Sequence, residues 1–314
     1  MKLTNNELET IRRWMYREAR PIDLARWQYH FENGTQNEVI HSLAAYQNSD
    51  GGFGYGLEAD SANPNSSPIQ TWCAIELLEE IGFSDTNHPI IQGILDYLEK
   101  TEFFKNGQWL AEIPSNNDHP GAPWWKYSEK VGDWEYNPTA SLVGFVLKHT
   151  AVDSSFHEQA RNIARRAIDS YLQRQPLNDM HECYCYQTLE KYCREAEITD
   201  LFDFDKIQEL LIGNVSRLIT TDPAAWATSY VCKPSQFYKS PESSYYVGNE
   251  RITQTECDFI VTSRNKEGIW DITWNWGCDA DAFAIANLHW KSTLVVRNML
   301  FLRNFNGISS TIPE

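Results

Sequence analysis

The stretch that decides the fold is Gln47-Asn48-Ser49-Asp50-Gly51-Gly52-Phe53-Gly54-Tyr55-Gly56. Upstream of it, Glu38 to Tyr46 is apolar at helical spacing. Gln47 closes that helix, where its amide is placed to satisfy the last free carbonyls. Gly51, Gly52, Gly54 and Gly56 permit positive φ and close backbone approach. Phe53 and Tyr55 offer flat faces to pack beneath the turn. Downstream, Ser66-Ser67-Pro68 reads as a capping hydroxyl followed by proline at a first helical position. The stretch is therefore a corner from one helix to the next. Asn106-Gly107-Gln108-Trp109 and Glu267-Gly268-Ile269-Trp270 look like worn copies of it, which points to an internal repeat.

Working outward, helical periodicity predicts twelve helices. They run from Asn6 to Glu18, Pro21 to Phe31, Gln36 to Gln47, Pro68 to Gly82, His88 to Thr101, and from Asn137-Pro138 onward. The rest are Ser154 to Arg174, Asp179 to Ala196, Asp203 to Ile219, Pro223 to Cys232, Asn249 to Ser263 and Asp281 to Arg303. Strand signals are confined to Tyr245-Tyr246-Val247 and Ile269 to Trp274, so the chain reads as all-α. Odd-numbered helices carry charged faces. Even-numbered ones are poor in charge, and Thr71 to Ile75, Ala140 to Phe145 and Phe283 to Ala286 read as buried nearly all round. Six outer helices alternating with six inner ones describe a single (α/α)6 toroid, or barrel, over residues 1–314, with repeats of helix-pair size.

Bulk properties narrow the function. The 314 residues are 42% hydrophobic, enough for a large core. A net charge of −16 argues against nucleic acid and against anionic membrane surfaces, both of which want a basic face. No apolar run reaches the length of a membrane span, and the polar start lacks a signal core. Seven scattered cysteines read as reduced thiols, which places the protein in the cytoplasm. The glycine-rich corner follows a helix and not a strand, which argues against dinucleotide binding. Twelve tryptophans, within 13% aromatics, are high and ask for a role.

Gln47-x3-Gly51-x-Phe53 resembles the Gln…Gly-x-Trp repeat of squalene and terpenoid cyclases. The longer run from Gln47 to Gly54 is similar to one in protein prenyltransferase β subunits. Gly107-x-Trp109 and Gly268-x-Trp270 keep the second half of the repeat, with Phe103 and Arg264 where glutamine belongs. The resemblance implies an α/α toroid in which Gln47, Phe53, Trp109 and Trp270 are structural braces. It also implies that every inner-helix start faces one cavity mouth.

That geometry selects the candidate site. Glu58, Asp60, Trp124, Trp125, Tyr136, Tyr184, Trp274 and Trp276 are the expected ligand-binding residues, and Asp133, Glu135, His181, Asp279 and Asp281 the expected catalytic ones. Glu182, Trp226, Tyr245 and Tyr246 fall in the same region. Clustered carboxylates can hold an acidic proton, as a cyclase needs. Asp279-Ala280-Asp281-Ala282 resembles a cyclase Asp-x-Asp-Asp motif without its last acid, and equally reads as a cap with a first-turn acid. His181-Glu182-Cys183-Tyr184-Cys185 resembles the prenyltransferase segment that carries a zinc histidine. Asp133 and Glu135 stand where an Asp-x-Cys would be, so Asp133, Glu135 and His181 form a weak zinc alternative; otherwise no metal and no cofactor is expected. Trp27, Trp72 and Trp290, within helices, read as core.

Three functions follow as expectations. The first is a prenyltransferase- or terpenoid-cyclase-like protein, a transferase or cyclase if it is an enzyme, whose aromatic, acid-rimmed cavity takes an isoprenoid or other small apolar molecule. The second is a carbohydrate-active (α/α)6 hydrolase or lyase working on a sugar with paired carboxylates. The third is a non-catalytic binding or scaffold protein.

Overall fold

The computed structural model describes residues 1–128 and 135–308. Helices dominate: α1 (Asn5–Glu18), α2 (Pro21–Phe31), α3 (Gln36–Ala44), α4 (Pro68–Glu80), α5 (Pro89–Lys100), α6 (Thr139–His149), α7 (Ser155–Gln173), α8 (Met180–Glu195), α9 (Phe204–Leu218), α10 (Pro223–Thr228), α11 (Glu250–Thr262) and α12 (Ala280–Asn304). Among the described residues the only strands are β1 (Phe104–Lys105) and β2 (Gln108–Trp109), a short hairpin. The chain is all-α.

Local chemistry sets the helix ends. Proline opens α2, α4, α5 and α10, where its missing N–H is no loss. Thr4 and Glu7 make a reciprocal capping box on α1. Ser67 caps α4 and Ser154 caps α7. Beyond α4, Phe83 N–H donates to the Leu78 carbonyl and Gly82 N–H to that of Glu79, so Gly82 at φ 66° stops the helix.

Some expectations are corrected. Asn137 caps nothing: Pro138 occupies the cap position of α6 without a side-chain bond, and Asn137 Oδ1 instead accepts from Cys185 Sγ at 3.5 Å. α3 ends at Ala44, three residues before Gln47, because the chain turns into the corner. Residues 245–247 form turns and 269–274 no strand.

The residues group into two compact units, 1–43 with 216–314, and 44–215. The first unit is built on α12, against which α1, α2 and α11 pack. Its core includes Leu8, Ile11, Trp14, Trp27, Ile260, Trp270, Val296 and Met299. The second unit is built on α6, which meets α4, α5, α7 and α8. Ala140 to Phe145 are all buried, as expected. Each large apolar side chain so buried stabilises by roughly 1.5–3 kcal/mol. Gly144 allows the approach of α8, since a Cβ there would sit 2.9 Å from the Tyr192 ring. The start of α12 differs: Ala284 and Ile285 are exposed and Phe283 half-buried, so it is not core. Among the described residues no helix is long and apolar enough to cross a membrane.

Candidate functional site

Three corners share one construction. Gly51, Gly107 and Gly268 have φ of 88°, 83° and 84°, each two residues before an aromatic. Phe53, Trp109 and Trp270 are buried. Trp109 Nε1 donates to the Leu98 carbonyl in the last turn of α5 (3.0 Å), and Trp270 Nε1 donates to the Ile260 carbonyl in the last turn of α11 (2.8 Å). Phe53 N–H donates to Thr71 Oγ1 of α4 (3.1 Å), and Trp109 N–H donates to Thr139 Oγ1 of α6 (3.0 Å). These bonds tie a preceding helix end to a following helix start, which is what a brace does. Gln47 acts differently from expectation. Its amide donates to the Gly51 carbonyl (2.9 Å) and to that of Ile90 in α5 (3.3 Å), not to the end of its own helix. Gly51 is irreplaceable on space as well as φ, because a Cβ would lie 2.1 Å from the Gly93 oxygen. Tyr55 is not beneath the turn; it is 56% exposed.

Glu58 and Asp60 follow the first corner and are both buried. An amide network holds their loop. Leu57 N–H donates to Gln70 Oε1 (2.9 Å), and Gln70 Nε2 to the Asn63 carbonyl (2.9 Å). Asn63 Nδ2 donates to Asn116 Oδ1 (2.8 Å), and Asn116 Nδ2 to the Trp125 carbonyl (2.8 Å). The Ala122 N–H donates to the Asp60 carbonyl (2.8 Å). The structure thus links Glu58 and Asp60 to the segment of Trp124 and Trp125. Trp125 is buried, whereas Trp124 is exposed.

At the start of α8 an arginine that the sequence reading did not single out governs the acids. Arg174 holds Glu182 with two hydrogen bonds, lies 3.8 Å from Glu135 and donates to the Tyr186 hydroxyl at 3.3 Å. The bonds to Glu182 raise the Arg174 pKa further above its usual value. Tyr186, Tyr171 and Tyr136 adjoin this clasp, with Tyr186 centroids 4.7 Å and 6.5 Å from the other two. Burial raises the pKa of the Tyr136 hydroxyl. Glu135 is exposed, at φ 49°, and His181 half-buried. Cys183 and Cys185 are wholly buried, and burial raises the Cys185 thiol above its ordinary pKa. Asp133 lies outside the described residues. Among the described residues no group of three His, Cys, Asp or Glu side chains is placed to hold a metal ion.

Trp72 is not core. It is half-buried, edge-on to Tyr184 with centroids 6.4 Å apart, and Tyr184 donates its hydroxyl proton to Glu76. The indole N–H of Trp72 is buried without a hydrogen-bond partner.

The first unit carries an aromatic array that reaches α12. Tyr230 meets Trp274 edge-on at 5.3 Å, and Trp274 meets Trp290 edge-on at 5.2 Å. Trp276, buried, packs on Phe283 at 5.7 Å. Trp290, expected in the core, is half-buried. Its Nε1 and Asn287 Oδ1 are buried with no hydrogen-bond partner. An unmade buried hydrogen bond costs roughly 1–3 kcal/mol. Asp279 and Asp281, at the start of α12, are exposed. Trp226 is buried, its Nε1 donating to the Thr220 carbonyl at 2.9 Å, and Tyr245 and Tyr246 are half-buried.

A second cluster in this unit escaped the sequence reading. Asp23, 0% exposed, accepts from Arg20 (2.6 Å), Arg26 (2.5 Å) and Ser292 (2.6 Å). Burial pushes its carboxyl up, and the two guanidiniums more than offset that, so its pKa ends below the usual value. Burial, helped by Arg20, lowers the nearby His289 to about 4, which leaves it neutral at pH 7. The Arg20-x-x-Asp23-x-x-Arg26 spacing was the available signal, since these three lie on one helical face.

Chemically, the two regions differ. Glu182 of α8 and Glu135, which precedes α6, are engaged by one cation. The Tyr230–Trp274–Trp290 face presents apolar area beside one buried donor and one buried acceptor that lack partners. Comparison of the chain with protein-family models, with curated proteins and with solved structures finds no match.

Proposed function

We propose that the protein is an (α/α)6 toroid of the terpenoid-cyclase and prenyltransferase kind, and that it binds an isoprenoid or similar elongated apolar molecule against the aromatic face of α12. One observation carries the reading. Tyr230, Trp274 and Trp290 make a continuous edge-to-face ladder beside buried polar atoms that lack partners. Aromatic walls with few polar groups favour apolar ligands, and their π-faces favour developing positive charge. The repeated Gly-x-aromatic corners, the second and third of which bond alike to the end of the preceding helix, support the toroid. The braces Gln47, Phe53, Trp109 and Trp270 hold helices and take no part in binding. The exposed Asp279 and Asp281 are the acids of this region that a bound ligand can recruit.

The test is native mass spectrometry of protein purified without detergent, with tryptophan quenching by added geranylgeraniol. A retained or added isoprenoid that quenches wild-type protein, with about tenfold weaker binding by Trp274→Ala, is the expected result (about 1.4 kcal/mol). Absence of any such binding, with quenching by an oligosaccharide instead, overturns the reading in favour of carbohydrate chemistry.

A further inference from the structure

Two orphan atoms on one face of α12 specify the ligand's polar end. Asn287 and Trp290 are three residues apart, so their side chains leave the same side of the helix, with Cβ atoms roughly 5–6 Å apart. The stripe Phe283, Asn287, Trp290 and Leu294 is half-buried along its length. Asn287 Oδ1 can only accept a hydrogen bond and Trp290 Nε1 can only donate one. Both are buried without partners. A ligand group that satisfies both must donate and accept at once.

Charge narrows the choice. Lys291 is committed to Asp271 at 2.7 Å. Arg297 lies over the Trp290 ring, 5.9 Å from its centroid, on the face of the indole and not at its N–H. A diphosphate, which only accepts, would bring its charge against the lone pairs of Asn287 Oδ1.

We infer that this face recognises a neutral hydroxyl, so that the preferred ligand is an isoprenoid alcohol and not its diphosphate. The ligand O–H donates to Asn287 Oδ1, and its oxygen accepts from Trp290 Nε1. The apolar chain then lies along Trp274 and Tyr230. The inference rests on the apolar-ligand reading above.

The experiment compares three C20 probes on the wild-type protein by tryptophan quenching: geranylgeraniol, the hydrocarbon of the same chain, and geranylgeranyl diphosphate. The alcohol is expected to bind at least tenfold more tightly than either. Trp290→Phe keeps the ring and removes the N–H; Asn287→Leu keeps the shape and removes the acceptor. Each is expected to bring the alcohol within about threefold of the hydrocarbon measured on the same variant. Equal binding of alcohol and hydrocarbon to wild-type protein, or tighter binding of the diphosphate, overturns the hydroxyl assignment and leaves the apolar-ligand reading standing. No binding of any probe overturns both. The wild-type comparison decides the matter even if a variant fails to fold.

Discussion

Helices α8 and α12 begin alike in sequence, with Asp179-Met180-His181-Glu182 and Asp279-Ala280-Asp281, and differ in what the fold brings to their acids. At α8, Asp179 has extended backbone and its side chain accepts from the Glu182 N–H at 2.7 Å. Glu182, 6% exposed, is gripped by Arg174 from the end of α7. At α12, Asp279 adopts φ 48° and its side chain caps nothing, and Asp281 points to solvent. A place at a helix start therefore does not fix what a carboxylate does. The nearest cation and the backbone of the cap residue do. The carboxylate of Glu182 is tied into the fold, whereas Asp279 and Asp281 are exposed and Asp279 makes no cap bond.

Removing the cation breaks the comparison most strongly. Arg174→Ala leaves Glu182 buried and unpaired, which costs about 3–5 kcal/mol for a fully buried pair; with Arg174 itself about 30% exposed, about 2–3 kcal/mol is expected. Urea unfolding would show it as a lower midpoint at unchanged slope. Adding Glu182→Gln to Arg174→Ala should recover more than half of that loss, and purely additive effects would mean the two residues do not act as a pair. Next in size, Asp179→Ala forfeits a cap bond and costs about 1 kcal/mol. Asp279→Gly should move the other way, from neutral to about 0.5 kcal/mol stabilising, since glycine relieves the left-handed backbone and no cap bond is lost. Thermal scans of both variants in one buffer check the opposite signs. Equal losses would mean that the two helix starts are built alike.

Much of the helical framework was legible because its punctuation is local. Pro21 and Pro68 open their helices where the sequence puts them, Ser154 caps α7, and Gly82 stops α4. The corners were legible because a glycine at positive φ followed by a buried aromatic is a requirement of the backbone. Tertiary pairings were not. Arg174 lies eight residues before Glu182, beyond the end of α7, and no spacing rule links them. Half-burial was also hidden. Trp72 and Trp290 sit within helices, and composition cannot tell a tryptophan enclosed on all sides from one left half-buried. The same ambiguity made Phe283 to Ala286 read as core, although Ile285 is 60% exposed. For α12 the clue was the 283-287-290-294 spacing of one helical face.

The mildest change sharpens the comparison furthest. Asp281 sits in the first turn of α12, exposed, so its contribution is its attraction to the helix dipole, roughly 0.3–1 kcal/mol at low ionic strength. Asp281→Asn should therefore lower stability by about 0.3 kcal/mol in dilute buffer. The loss should fade near 1 M salt, where charges are screened beyond about 3 Å. Glu182→Gln at α8 should be far less sensitive to salt, because Glu182 is itself buried and bonded directly to the guanidinium of Arg174. Paired melts at low and high salt measure both. A salt-resistant loss above about 1 kcal/mol at Asp281 would show that this carboxylate has a fixed partner after all, and α12 would then open as α8 does.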